Sequence, residues 1–136
     1  MSKLFSHASS KTSFNLATLI LRVGFGVLMI PSHGWPKLSN FATLKNEFMN
    51  FMGLGSTLSL GLAVFAEFFC SIFLIVGFFT RWATIPLIIT MLVAFSKHDF
   101  VLFAKHDLIP AFILGYLAIL LLGPGKYSMD AMISKK

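Results

Sequence analysis

The chain has 136 residues, of which 57% are hydrophobic and only 12% charged, with a formal net charge of +6. Soluble domains carry about a quarter charged residues, so this composition excludes an ordinary water-soluble core and points to a membrane-embedded chain. The pI of 9.8 does not indicate nucleic-acid binding, because the basic residues punctuate hydrophobic runs and are not gathered with aromatics on one polar element.

A bilayer core takes about 20 apolar residues per helix, which gives this length room for four crossings in one domain. Residues 1–13 are polar and read as a tail. The first apolar run, about Phe14 to His33, contains Arg22, unlike the unbroken apolar stretch of a cleavable signal, so it reads as a retained span. Pro31-Ser-His-Gly-Trp-Pro36 is expected to break it, and Lys37 follows. From Phe41 to Met52, apolar residues alternate with Lys45, Asn46, Glu47 and Asn50 at a spacing that predicts a short amphipathic helix lying in the interface. Gly53 and Gly55 end it.

The second span is predicted from Thr57 to Phe79 and holds Glu67 and the single cysteine, Cys70, which reads as a buried packing residue. It stops at Thr80-Arg81-Trp82. The third span, Ala83 to Lys97, has Pro86 near its start, where a missing donor does least harm. Lys97-His98-Asp99 and Lys105-His106-Asp107 then bracket an apolar tetrad too short to cross. The fourth span, Leu108 to Leu122, stops at Gly123-Pro124-Gly125. The expected fold is all-α: an integral membrane four-helix bundle over residues 14–125, with a short interfacial amphipathic helix between helices one and two, and residues 126–136 as a second tail.

An even number of crossings places both termini on one side. That side would hold Lys3, Lys11, Arg81, Lys126, Lys135 and Lys136, against Lys37, Lys45, Lys97 and Lys105 opposite, which favours cytoplasmic termini.

Arg22 and Glu67 each sit inside a span. A lone charge at a bilayer centre costs about 2.5–3.5 kcal/mol on insertion scales, so opposite charges on adjacent spans are expected to meet. Helical spacing puts Arg22, Gly26, Met29 and His33 on one stripe, and Ser56, Leu60, Ala63, Glu67, Ser71 and Leu74 on another. Thr84, Met91 and His98 share a face of the third span, as do Asp107, Ala111, Leu114 and Ala118 of the fourth. Converging stripes would make a polar funnel, floored by Arg22 and Glu67, with His33, Lys37, His98 and Asp107 at its mouth. The pair reads equally as a functional centre or as a structural bridge fixing helix register. The histidines lie in loops or at helix ends, which argues against a tightly bound metal or haem.

Several motifs in order resemble the DoxX family of small bacterial membrane proteins. They are Leu21-Arg22-Val23-Gly24, Ser32-His33-Gly34-Trp35-Pro36-Lys37, Ala66-Glu67-Phe68-Phe69, Gly77-Phe78-Phe79-Thr80-Arg81, and Gly123-Pro124-Gly125-Lys126-Tyr127-Ser128-Met129-Asp130. The resemblance implies a four-helix fold in the bacterial inner membrane, with counterparts for Arg22, His33, Gly34, Lys37, Glu67, Thr80 and Arg81. The acidic residue that opens the fourth helix would be Asp107, where the family more often has glutamate. The family includes relatives of the membrane subunit of thiosulfate:quinone oxidoreductase and members tied to oxidative-stress complexes, so fold follows from it better than reaction does.

Three functions compete. A redox-associated subunit would bind a quinone or relay protons; no residue here carries electrons alone, so a quinone, a soluble redox partner or another cofactor is required. A non-enzymatic scaffold or assembly partner would use the Arg22–Glu67 pair structurally, and the partners expected beside the lipid bilayer are a soluble redox protein or a second copy of the chain in a homo-oligomer. A small-solute carrier is disfavoured by four spans without an inverted repeat. No self-sufficient catalytic motif is present.

Overall fold

Ser10 is the N-cap of the first described helix. Its hydroxyl accepts the Ser13 N–H at 3.0 Å and caps helix α1, Lys11–Ser39. The computed structural model describes residues 10–46, 53–97 and 109–134. Those residues are helical or in turns, without strand.

The expected break at the Pro31–Pro36 cluster does not occur. Pro31 has no N–H for the turn before it, and the ladder widens there into a π-helical turn, Ile30–Gly34. The Ser32 hydroxyl donates to Leu28 O at 2.6 Å, and Pro36 then falls in the first turn of the continuing α-helical segment, Trp35–Ser39, where a donor is least missed. The helix therefore runs on through Lys37. Helix α2, Phe41–Leu44, covers the start of the expected amphipathic segment, and residues 47–52 of that segment lie outside the described residues.

Helix α3, Ser56–Val76, contains a second π-helical turn, Phe65–Cys70. It ends in a Schellman motif: Phe78 N–H donates to Phe73 O at 2.9 Å and Gly77 N–H to Leu74 O at 3.1 Å, with Gly77 left-handed at φ 75°. Helix α4, Thr80–Lys97, starts three residues on, and α5, Ile109–Leu122, ends at left-handed Gly123. The Arg81 Nε caps that end by donating to Leu120 O at 3.1 Å. A last helix, α6, spans Met129–Ser134 within the segment expected to be a tail, and Asp130 bonds it to the bundle.

The four long helices pack antiparallel in chain order. Arg22 meets Leu74 and Gly26 meets Ser71 across α1 and α3. Phe25 meets Gly115 across α1 and α5, and Arg81 meets Gly123 across α4 and α5. The core includes Met29, Cys70, Leu74, Met91, Phe112 and Tyr116. Thr18, Arg22, Glu67, Ser71, Thr80 and Thr84 are also buried, whereas Ile20, Leu114 and Leu121 are 68%, 68% and 81% exposed. Polar groups share the interior with apolar ones while many large apolar side chains face outward, a surface unlike that of a water-soluble bundle. Helices α1 and α3 are long and apolar enough to cross a bilayer; Thr80–Ser96 and Ile109–Leu122 are apolar but shorter.

On α5 the inward face differs from the one expected. Ile109, Phe112, Gly115, Tyr116 and Ile119 are buried, while Ala111 and Leu114 face out. The helix is apolar all round, so its pattern holds no phase, and the Asp107 used to set one lies outside the described residues.

Gly77 tests this corner. A Cβ there would press on Ser128 and lie 2.6 Å from Arg22 Nη1, in a left-handed backbone. Gly77→Ala is expected to cost about 2 kcal/mol or more. Gly61→Ala, with open space around its Cβ, should gain up to about 1 kcal/mol. Circular dichroism melts in detergent check both; matching midpoints for the two variants would remove the strain argument.

Candidate functional site

Two glycines on α1 set the register on α3. A Cβ on Gly26 would lie 2.9 Å from Ser71 O, and one on Gly34 would lie 2.6 Å from Glu67 O. Gly34 ends the π turn of α1 and Glu67 lies inside the π turn of α3, so the two widened turns touch backbone to backbone. Only a residue without a side chain allows that approach. The Ser71 hydroxyl donates to Glu67 O at 2.8 Å, satisfying a carbonyl in the widened turn.

Lys37 lies three residues past Gly34, about one turn on, and points back along this crossing. Its Nζ donates to Glu67 Oε2 at 2.6 Å and Oε1 at 3.1 Å. The Glu67 side chain is 2% exposed and that of Lys37 is 21% exposed. The pair thus joins a carboxylate inside the bundle to an ammonium that reaches its edge.

The expected Arg22–Glu67 pair is not formed. In the antiparallel register Arg22 faces Leu74, seven residues along α3 from Glu67, a rise of about 10 Å. Its Nη1 donates to Leu74 O at 2.9 Å and Ile75 O at 3.3 Å, its Nε to Pro124 O at 3.0 Å, and its Nη2 to Tyr127 O. Arg22 is fully buried. Every nitrogen of the guanidinium is occupied by main-chain carbonyls, so it binds α3's C-terminus to the loop after α5.

Asp130 completes this corner. It accepts from Phe79 N at 2.8 Å and Thr80 N at 2.9 Å, capping α4, while its own N–H donates to Gly77 O at 2.9 Å. Phe79 is held there with φ 49°, a left-handed backbone for a bulky residue.

On α5, Tyr116 lies in the buried core with Cys70 and Phe112. Its side chain is fully buried, and its hydroxyl has no hydrogen-bond partner among the described residues. Phe112 stacks on the phenol with ring centres 5.9 Å apart, and Phe25 lies 6.0 Å away. His33 presents its ring edge-on to Phe112 at 5.8 Å. Of the four residues expected at a funnel mouth, His33 and Lys37 turn toward this cluster, and His98 and Asp107 lie outside the described residues. Among the described residues no group of three or more His, Cys, Asp or Glu side chains converges as a metal site would require.

Sequence reasoning placed Lys37 at a mouth because Pro31 and Pro36 read as a helix end. It missed Tyr116 and Asp130. A lone tyrosine in an apolar run, spaced four residues from Phe112, was the signal for the first; the second had none, because its partners are backbone donors 50 residues away.

The family model DoxX matches residues 17–105. The chain is similar to the inner membrane protein YqjF of Escherichia coli (strain K12), with 29% identity over 130 residues, covering 90% of this chain and 95% of that protein. No solved structure matches.

Removing one partner of a buried pair strands the other. Lys37→Met is expected to destabilise by about 3–5 kcal/mol, and Lys37→Met with Glu67→Met to recover most of that loss. A double-mutant cycle from thermal melts reads the coupling, and additive losses would show that the two side chains do not depend on each other.

Proposed function

The chain belongs to the DoxX family, and from that premise we propose an inner-membrane protein that crosses the bilayer four times, with both termini cytoplasmic. Its outward apolar surface and inward polar groups suit that setting. The basic residues at the end holding Lys11, Arg81 and Lys126 support the orientation. The similar Escherichia coli protein carries inner membrane in its name.

Within this setting we propose a redox-associated membrane subunit whose centre is Lys37, Glu67 and Tyr116. The observation that carries the reading is the Lys37–Glu67 pair: a carboxylate 2% exposed, held by one ammonium at the bundle's edge. Buried charges of this kind in membrane proteins mark proton or ligand paths. A quinone headgroup fits the donors available. Its carbonyl oxygens can accept from Lys37 Nζ or from the unpartnered Tyr116 hydroxyl, and the hydroxyls of its reduced form can donate to Glu67. Phe25 and Phe112 pack edge-to-face beside Tyr116, with ring centres 5.7 Å apart, and make its surroundings apolar. The quinone or a partner enzyme carries the electrons, and this chain's side chains hold and move the protons.

A second reading, a non-catalytic scaffold, draws on Arg22. Each of its three nitrogens donates to a main-chain carbonyl, which is a structural role.

Titration of purified protein with a short-chain ubiquinone or menaquinone analogue separates the two readings. Glu67→Gln and Lys37→Gln should each weaken binding about tenfold or more, since a hydrogen bond to a charged group contributes about 1.5–3 kcal/mol. Unchanged affinity in both variants, or no binding by the wild type, favours the scaffold.

A further inference from the structure

The segment after α5 has its polarity inside out. Its polar groups hold it to the bundle. Ser128 is 6% exposed, packs against Gly77 and caps α6 by accepting from Ala131 N at 3.1 Å. Asp130 binds the start of α4, Lys126 N–H donates to Asn15 Oδ1 at 2.9 Å, and Arg22 holds the carbonyls of Pro124 and Tyr127. Its large apolar side chains take no part in this lock: Tyr127, Met129, Met132 and Ile133 are 47%, 43%, 69% and 53% exposed. A six-residue helix alone is far too short to persist in water, so tertiary bonds fix it in this orientation.

The same corner carries exposed Phe79 and Trp82, which α6 adjoins through Asp130. It also carries positive charge. Lys11, Arg81 and Lys126 are exposed there, and two further lysines, Lys135 and Lys136, follow in the sequence. A rigid apolar ledge with an aromatic border and basic residues matches the layer where acyl chains meet anionic headgroups. It continues the apolar surface of the long helices, which favours lipid over a protein partner as its occupant.

We propose that Lys126 and the outer face of α6 form a lipid-recognition foot that selects anionic phospholipid. Tyr127, Met132 and Ile133 rest among the upper acyl chains, and Lys126 meets the phosphates. Because the foot is bonded to Arg22, Gly77 and Asp130, an anionic leaflet also tightens the corner that closes α3 against α4. The inference rests on the membrane placement and is independent of any quinone.

The test uses full-length protein in nanodiscs of phosphatidylcholine alone or phosphatidylcholine with phosphatidylglycerol. Native mass spectrometry after gentle release counts retained lipids and subunits, and co-elution with phosphatidylcholine nanodiscs reports insertion separately from lipid choice. Wild type should retain phosphatidylglycerol over phosphatidylcholine and melt higher in its presence. Lys126→Gln should reduce that preference about fivefold, as expected for one basic residue at an anionic surface. Met132→Ser with Ile133→Ser should lower retention of both lipids, with the melt in phosphatidylcholine unchanged. Equal retention of the two lipids by wild type, or a preference that survives Lys126→Gln, overturns the proposal. A dimer that dissociates in the serine variant overturns it in favour of a second copy of this chain.

Discussion

A guanidinium in an apolar interior needs acceptors on every nitrogen, and Arg22 finds them in main-chain carbonyls. Two penalties are resolved by one contact. A charge at mid-span costs about 2.5–3.5 kcal/mol, and carbonyls left open at a helix end in an apolar medium cost about 1–3 kcal/mol each. Arg22 sits on Leu74 and Ile75 near the end of α3 and on Pro124 and Tyr127 of the following loop. The left-handed turn at Gly77, the cap at Asp130 and the position of α6 are all built around it.

The other polar centre is organised differently. Lys37 and Glu67 satisfy each other through side chains alone, at the point where two π-helical turns touch through Gly34. Widened turns of this kind are frequent at functional sites. Here the one in α1 carries the helix past two prolines and so delivers Lys37 to Glu67. The Arg22 corner is closed by carbonyls and is rigid, whereas the Lys37 end is partly open.

Much of the site was readable from residue type. Arg22, Glu67 and Lys37 stood out because charge is scarce in such a chain, and the buried stripes of α1 and α3 followed from helical spacing. The choice of partner was not readable. Opposite charges on neighbouring helices predict attraction, but register decides distance, and register here depends on close approaches at Gly26 and Gly34. Tyr116 carries no phase because α5 is apolar on every side, and the capping role of Asp130 depends on backbone donors 50 residues away that spacing along the chain does not show.

Composition and hydrophobic run length determined the helical class, the inward polar stripes of α1 and α3 and the outward apolar surface, because these follow from local chemistry repeated at a fixed period. The tertiary structure decided which carboxylate meets which cation, since an ion pair depends on side chains brought together across helices and not on their order along the chain. It also decided that Pro31 widens a helix instead of ending it. A proline removes one donor, and whether the chain then bends, widens or stops is set by what packs against it.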